Sequence, residues 1–337
     1  MSVFNQELFV GNIMTSRVRL ARNLQGYPFK VKDPIKAKEI AKKVNRALVK
    51  ADTFNLYFTS NLSDIKLEAM KERHLISKNL IANRACGAAL INQDESVSVM
   101  VNEEDIIREQ CFKKGFSLSE AYKQLNVIDN ELEKNLTLAY DEKLGYLTAC
   151  PTNLGTGLRA SVMMFLPALT VGGRISTLIE QCKKLGLTVR GLYGEGSEAE
   201  GYMYQISNEV TLGVSEFDII REVEKAVEEI CQAEVVERER IFASNPLKTM
   251  DKARKSYGVL TNAVFLSYSE FLSHVAQVKL GAIMGLVAIN DIPALDELII
   301  KARPANICEH YGKSLSASDR DIYRAEFIGK KLLKLKE

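Results

Sequence analysis

Apolar residues recur at helical spacing between lysines over 34–50 (PIKAKEIAKKVNRALVK), which predicts an amphipathic helix with Pro34 in its first turn. Ser96–Val101 (SVSVMV) alternates small polar and apolar positions, the pattern of a half-buried strand. Tyr146–Cys150, Thr188–Tyr193 and Tyr202–Ser207 are further short strand candidates. Helical stretches are expected at about 103–125, 158–185 and 215–240. The last opens with Ser215 and has Asp218 three residues on, a capping pattern. Asn245-Pro246 is the linker candidate, and beyond it helices are expected at 264–289, 293–303 and 318–337. Strand signals and glycine-rich turns concentrate before residue 215. The expected organisation is a mixed α/β region over 1–243 and a smaller helical domain over 244–337, with no internal repeat.

Composition narrows the functional classes. The 337 residues carry 45 Lys+Arg against 43 Asp+Glu, so no global basic field points to nucleic acid. There is no Trp, and aromatics make up 7%, which disfavours a stacking platform for single strands. Six scattered cysteines and three histidines form no zinc-type cluster, so no metal ligand set is expected. Such cysteines fit a reducing, cytoplasmic setting better than a disulfide scaffold. MSVFNQELFVGN has neither a basic n-region nor an apolar h-region, and no apolar run long enough to span a membrane occurs.

Several segments concentrate chemistry-bearing residues. Ser16-Arg17-Val18-Arg19-Leu20-Ala21-Arg22 packs three arginines into six positions, and in a strand Arg17 and Arg19 point the same way. Two such guanidinium forks suit a polyanion, although a solvated basic edge has the same spacing. Glu103-Glu104-Asp105 places three carboxylates directly after the 96–101 strand, with Arg108 one helical turn beyond Glu104 if the following segment is a helix. Crowded carboxylates need a cation, but an acidic first helical turn explains them equally well. Cys150-Pro151-Thr152-Asn153-Leu154-Gly155-Thr156-Gly157-Leu158-Arg159 is read as a strand end, a loop able to hold an anion on its N–H groups, and then an apolar helix. Its Gly155-x-Gly157-x-x-Ala160 pattern is a loose dinucleotide fingerprint, but Arg159 interrupts it and no βαβ periodicity surrounds it. Arg190-Gly191-Leu192-Tyr193-Gly194-Glu195-Gly196 has the make-up of a substrate-covering loop. Arg320 and Arg324 share one helix face with Asp321 adjacent, for which a solvated surface is the simplest account. There is no Walker loop and no protein-kinase H-R-D or D-F-G set. Arginines in loops and junctions beside glutamates instead suggest phosphoryl transfer on an arginine-built site.

TSRVRLARN, VNEED with Arg108, CPTNLGTGLRASV and RGLYGEGSEAEGYMYQISN resemble the signature segments of the phosphagen (guanidino) kinases, in the same order, over about residues 12–213. The C-terminal PANICEHYGK and RDIYRA segments are similar to those of the bacterial protein-arginine kinase branch, the McsB type. The helical domain that precedes the catalytic region in phosphagen kinases has no counterpart here. The resemblance implies an α+β fold: an antiparallel sheet flanked by helices, of the glutamine-synthetase-like class, plus a C-terminal helical domain for phosphoarginine binding and oligomerisation. It implies an ATP-binding site drawn from Ser16, Arg17, Val18, Arg19, His74, Arg108, Arg159, Ala160, Ser161, Val162, Met163, Arg190, Gly191, Leu192, Tyr193, Gly194 and Glu195. Glu104 corresponds to the principal carboxylate facing the acceptor guanidinium, Glu195 to the second, with Glu103 and Cys150 beside them. Arg320, Asp321, Arg324 and Ala325 correspond to an allosteric phosphoarginine site. Departures are Ile106 where relatives often carry His, Met163 for an adenine-flanking histidine and Gln205 for an aspartate.

By the same resemblance the activity is transfer of the ATP γ-phosphoryl group to protein arginines, with Mg²⁺ held mainly by ATP oxygens. The implied consequences are marking for a Clp protease and control of a heat-shock repressor. The implied partners are protein substrates, a zinc-finger activator of the McsA type, a ClpC-type unfoldase, the repressor CtsR and a second copy of the chain in a homodimer or larger oligomer. A free-guanidine kinase and a non-enzymatic phosphoarginine reader are the alternatives.

Overall fold

The computed structural model describes residues 10–191 and 200–335. Ten strands and twelve helices follow in the order β1 (Ile13–Arg22), α1 (Pro34–Ala47), β2 (Phe54–Phe58), α2 (Asp64–Glu72), α3 (Lys78–Ala82), β3 (Ala88–Asn92), β4 (Val97–Val101), β5 (Ile107–Lys114), α4 (Leu118–Asn135), β6 (Tyr140–Asp141), β7 (Gly145–Tyr146), β8 (Leu158–Phe165), α5 (Pro167–Val171), α6 (Ile175–Lys184), β9 (Leu187–Gly191), β10 (Met203–Asn208), α7 (Glu216–Ser244), α8 (Pro246–Asn262), α9 (Tyr268–Ile283), α10 (Ile292–Lys301), α11 (Pro304–His310) and α12 (Ala317–Lys334). Eight strands form one sheet in the order β2-β3-β4-β5-β1-β8-β10-β9, and β6 and β7 make a separate two-stranded hairpin. An antiparallel sheet flanked by helices is the expected α+β architecture.

The chain divides into two compact units. One comprises Thr15–Val162 and Ser207–Glu224; the other gathers the residues up to Met14, Met163–Ile206 and those from Lys225 onward.

In the first unit, β1 pairs antiparallel with β5 so that Arg17 faces Phe112, Arg19 faces Gln110 and Ala21 faces Arg108. Side chains alternate along each strand, so Arg17, Arg19, Arg108, Gln110 and Phe112 share one face of the sheet. Val18, Leu20, Ile107, Glu109 and Cys111 point to the other face and are buried there. Helix α4 packs on β5, presenting Leu118, Ala121, Leu125, Ile128 and Leu132 at helical spacing. Helix α1 begins where the Asp33 carboxylate accepts the Ile35 N–H, and it buries Ala37, Ile40, Ala41 and Val44. On the arginine-bearing face, α2 and α3 cover the β3–β4 end through Leu67, Met70, Leu80, Ala89, Ile91 and Met100. That cover leaves the β5–β1–β8 stretch to polar side chains.

In the second unit α8 packs against α9 and α12, α10 against α9, and α11 against α12. Buried Lys279 of α9 holds Asp296 of α10 at 2.5 Å. Buried Glu234 of α7 accepts the N–H groups of Ala168 and Leu169, where α5 begins.

Three sequence-based expectations are corrected. The stretch 103–125 opens as strand β5, because IREQCFKK alternates Ile, Glu, Cys toward the core with Arg, Gln, Phe outward; a glutamate in the buried set disguises the period of two. The stretch 158–185 opens as strand β8, whose LRASVMMF run is nearly all buried and so has no visible period. Of Tyr146–Cys150 only Tyr146 is strand. Asn245, in the linker candidate, is the single residue between α7 and α8, and its side chain accepts the Lys248 N–H and caps α8.

Candidate active site

The arginines lie on adjacent strands of one face. Arg17 Nη2 donates to Gln110 Oε1 at 2.5 Å, and its guanidinium lies 5.0 Å from the Phe112 ring. Arg159, on β8, donates to Ser207 Oγ at 3.0 Å. Ser161 Oγ donates to the Arg17 carbonyl at 3.4 Å. Burial, then Arg108 and Arg159, push the Arg17 guanidinium down to about 9, against a smaller opposing pull from Glu103. Burial, then Arg17, Arg108 and Arg159, also hold Arg19 well below its ordinary value, against a pull from Glu103. Arg17 stays charged at neutral pH, so its depression measures unmet electrostatic demand. Nε of Arg17 and Nε of Arg19 are buried without a hydrogen-bond partner among the described residues. A polyanion such as a triphosphate is complementary to this crowding of guanidinium groups.

Residues 102–106 form the tight turn from β4 to β5. Asn102 takes a left-handed conformation (φ 60°), and its N–H donates to the Ile106 carbonyl at 2.8 Å. The three carboxylates of this turn differ sharply. Glu103 is buried, ion-paired to Arg108 at 3.0 Å, and accepts from Ser77 Oγ and the Glu104 N–H. Burial pushes its carboxyl up, but Arg108 and these donors outweigh that, so it lies below the usual range. Asp105 is buried and accepts from Asn23 Nδ2 at 2.7 Å and the Ala149 N–H at 2.6 Å. Burial nevertheless raises its carboxyl. Glu104 projects from the turn tip into solvent. Burial, then Glu103 and Asp105, raise it above the ordinary carboxylate value, with Arg108 pulling the other way. The arrangement gives one exposed, proton-avid carboxylate on a turn locked by its two neighbours. Since 103–106 is a turn and not a helix, the partner of Arg108 is Glu103 rather than Glu104.

Cys150 is half-buried, with Sγ 3.0 Å from Thr152 Oγ1. A single 3-10 turn, Pro151–Asn153, and a loop follow it; the chain then enters β8, not a helix. The loop is stitched to its surroundings by backbone. The Ala21 N–H donates to the Gly157 carbonyl, and Arg22 Nη1 donates to the Thr156 carbonyl. Gly155 (φ 103°) and Gly157 (φ 66°) have no room for a side chain: a Cβ would meet the Thr211 carbonyl at 2.4 Å in one case and the Ala21 carbonyl at 2.6 Å in the other.

Arg17, Arg19, Arg108, Arg159, Ser161, Glu103, Glu104 and Cys150 all belong to one compact unit. Val18, Ala160 and Val162 are buried on the opposite side of their strands, so only their backbone is available; the Ala160 N–H already donates to Asn208 Oδ1. His74 is half-buried, left-handed (φ 63°), and its carbonyl accepts from Gln110 Nε2. Met163 and Gln205 are half-buried, and Ile106 is buried. Arg190 and Gly191 end β9 in the other unit. Leu192, Tyr193, Gly194 and Glu195 lie outside the described residues.

Arg324 is buried rather than solvated. It donates to the Ala302 and Leu266 carbonyls and ion-pairs with Asp321 at 2.5 Å. Arg320 is half-buried, and Ala325 is buried.

Sequence reasoning passed over Asn23. It is buried, donates to Asp105 and to the Leu147 carbonyl, and accepts the Ile106 N–H, tying the carboxylate turn to the Cys150 segment. An asparagine after an arginine-rich strand carries no signal of this; only the fold brings 23, 105 and 147 together.

Family comparison agrees with this geometry. The ATP:guanido phosphotransferase C-terminal catalytic domain matches residues 36–237, and the protein-arginine kinase McsB C-terminal domain matches 246–337. A protein-arginine kinase of Caldanaerobacter subterraneus is 40% identical over 96% of this chain and 97% of its own length. One from Clostridium kluyveri is 44% identical over 96% and 95%. Among solved structures, lombricine kinase (24% identity, TM-score 0.57, 68% of this chain and 67% of that one) shares the fold. So does the duplicated taurocyamine kinase of Schistosoma mansoni (24%, TM-score 0.63, 94% and 49%). The chain belongs to the ATP:guanido phosphotransferase family, in its protein-arginine kinase (McsB) branch.

Proposed function

We propose that this chain transfers the γ-phosphoryl group of ATP to arginine side chains of proteins, with Glu104 as the base and Arg17, Arg19, Arg108 and Arg159 as the phosphate cradle. The observation that carries the reading is the placing of Arg17, Arg19 and Arg108 on one face of the β1–β5 pair, with exposed Glu104 on the adjoining turn of the same unit. An acceptor guanidinium is protonated at neutral pH and is a poor nucleophile. Glu104 accepts one of its protons as the nitrogen bonds to phosphorus; the bond from phosphorus to the bridging oxygen breaks, and ADP leaves. The fixed arginines stabilise charge spread over the transferring group without rearranging. Glu103 holds Arg108 and fixes the Glu104 backbone, so it positions both. Magnesium, bound with the nucleotide, supplies further neutralisation of the phosphate oxygens. Arg190, and Glu195 as a second carboxylate, complete this reading from the sequence side, as do His74, Met163 and the backbone of Ser16, Val18, Ala160, Ser161 and Val162.

The same reading assigns 1–243 to catalysis and 244–337 to phosphoarginine binding and self-association. Arg320 is half-buried and donates to the Leu315 carbonyl, while Arg324 holds three groups of its own unit. It extends to a zinc-finger activator, a ClpC-type unfoldase and the CtsR repressor as partners, and to marking for degradation in the cytoplasm.

The test is incubation with Mg-ATP and a misfolded protein, followed by a search for acid-labile phosphate on arginine. Phosphoarginine that disappears with Glu104→Ala is expected. Its absence from the wild type overturns the reading, and equal turnover of free L-arginine would favour a free-guanidine kinase instead.

A further inference from the structure

Gln110 is fully buried on β5, opposite Arg19, in the row of side chains that carries Arg17 and Arg108. Its amide has three polar partners. Nε2 donates to the carbonyls of His74 and Leu75, at 2.8 and 3.0 Å, in the turn that follows α2. Oε1 accepts from Arg17 Nη2 at 2.5 Å. Ser98, the β4 residue facing Gln110, donates from Oγ to the same Leu75 carbonyl at 2.6 Å. The 74–75 turn is thereby pinned to the sheet, and its carbonyls set the amide. A flipped amide would turn Oε1 toward two carbonyls and the NH2 group toward a guanidinium, so a single orientation satisfies all three partners. At a buried position solvent does not make good a lost one.

A guanidinium can be held in two ways. Arg22, on the opposite face of β1, is gripped by the Asp129 carboxylate, which neutralises it as well. A carboxylate on Arg17 would do the same and would compete with a phosphate group for its charge. The amide carbonyl of Gln110 is a directed acceptor with no net charge. It fixes the guanidinium and leaves the positive charge to act on something else. The Phe112 ring, 5.0 Å from the same guanidinium, is uncharged too. Glutamine alone meets both demands at this position: glutamate accepts from the arginine but has no donor for the turn, and methionine offers neither.

We propose that Gln110 is a positioning residue for nucleotide binding: its carbonyl, oriented by the 74–75 turn, holds the Arg17 guanidinium in place without neutralising it. The inference rests on the reading of Arg17 as part of the phosphate cradle. It adds that the neutrality of residue 110 is a requirement of the site, and that Gln110 acts on the phosphates through Arg17 rather than by touching them.

The experiment uses the full-length protein and two probes of the phosphate site: ATP as substrate, and inorganic tripolyphosphate as its competitor. Thermal melts run beside them. Gln110→Met removes the tether and adds no charge. The KM for ATP and the inhibition constant of tripolyphosphate are expected to rise together, roughly tenfold, as for a lost hydrogen bond to a charged group. Gln110→Glu keeps an acceptor for Arg17 but neutralises it, and should weaken both probes at least as much. Ser98→Ala loosens the same turn without touching Arg17, and should leave both constants near wild type whatever it does to the melting temperature. Wild-type constants in a folded Gln110→Met variant overturn the tether, even if it melts lower, because the glutamine then serves the fold alone. Wild-type constants in Gln110→Glu overturn the requirement for a neutral acceptor. A rise for ATP with none for tripolyphosphate would locate the effect at the 74–75 turn and not at Arg17, which also overturns the assignment. If instead Arg17→Met leaves both constants unchanged, the phosphate-cradle reading itself falls.

Discussion

Strand β1 carries arginines on both of its faces, and the two faces treat them in opposite ways. Arg22 is fully buried, yet Asp129 grips it through two hydrogen bonds, at 2.9 and 2.6 Å. Its guanidinium lies 3.5 Å from the Tyr146 ring, and Glu216 lies 3.7 Å from it. The surrounding carboxylates outweigh burial and raise it above its ordinary value. Arg17 and Arg19 meet burial and more arginines, and are lowered. Same residue type, same strand, opposite balance: on one face carboxylates of the protein neutralise the charge, and on the other the arginines crowd one another. A residue that serves folding is neutralised within the chain; a residue that serves binding is held in a state the chain alone does not satisfy.

That contrast is sharpened by breaking each side of it. The largest effect is expected at the acceptor side of the unsatisfied face. Glu104→Gln should reduce phosphoarginine formation by about 10²–10⁴-fold, the range for a general base, while nucleotide affinity stays within a few-fold. A quench assay beside a nucleotide titration reads both numbers. Next is the neutralised face. Arg22→Ala leaves Asp129 buried and unpaired and should cost about 3–5 kcal/mol of unfolding free energy in denaturant melts. Asn23→Ala follows, removing its bonds to the Asp105 carboxylate, the Leu147 carbonyl and the Ile106 N–H, for about 1–3 kcal/mol in all. Its specific mark is a fall in kcat with the KM for ATP unchanged, because the turn that aims Glu104 is loosened. The smallest effect concerns pH. Glu104 lies above the ordinary carboxylate range, so activity should fall on acidification at a higher pH than a normal carboxylate would give. Glu104→Asp should keep an acid limb, displaced in pH, whereas Glu104→Gln should abolish it.

How much of this was legible in sequence depends on the kind of signal. The paired orientation of Arg17 and Arg19 follows from strand alternation and is what the structure contains. The helices at 34–50 and 215–240 have amphipathic spacing and capping residues, and both form near those limits. Strands β5 and β8 were concealed for two different reasons. In β5 a buried charge, Glu109, breaks the apolar alternation; in β8 burial on both faces erases it. Glu109 is tolerated because burial and nearby Asp129 push its carboxyl far up, toward the neutral form. Which of three consecutive carboxylates is exposed was not legible. Their division of labour depends on Ser77, Asn23 and Ala149, each distant in sequence. Arg324 makes the same point: its spacing fits a solvated face, but carbonyls from two other segments bury it.

The most direct measurement of the contrast is thermal unfolding of the wild type and of the Arg17→Met/Arg19→Met variant, each with and without a triphosphate nucleotide. Removing two half-buried arginines crowded by like charges should leave the apo melting temperature equal or higher, and the upward shift that nucleotide gives the wild type should vanish. A variant that melts well below the wild type in the apo state, yet keeps the full nucleotide shift, would show that these arginines hold the fold together and not the phosphates.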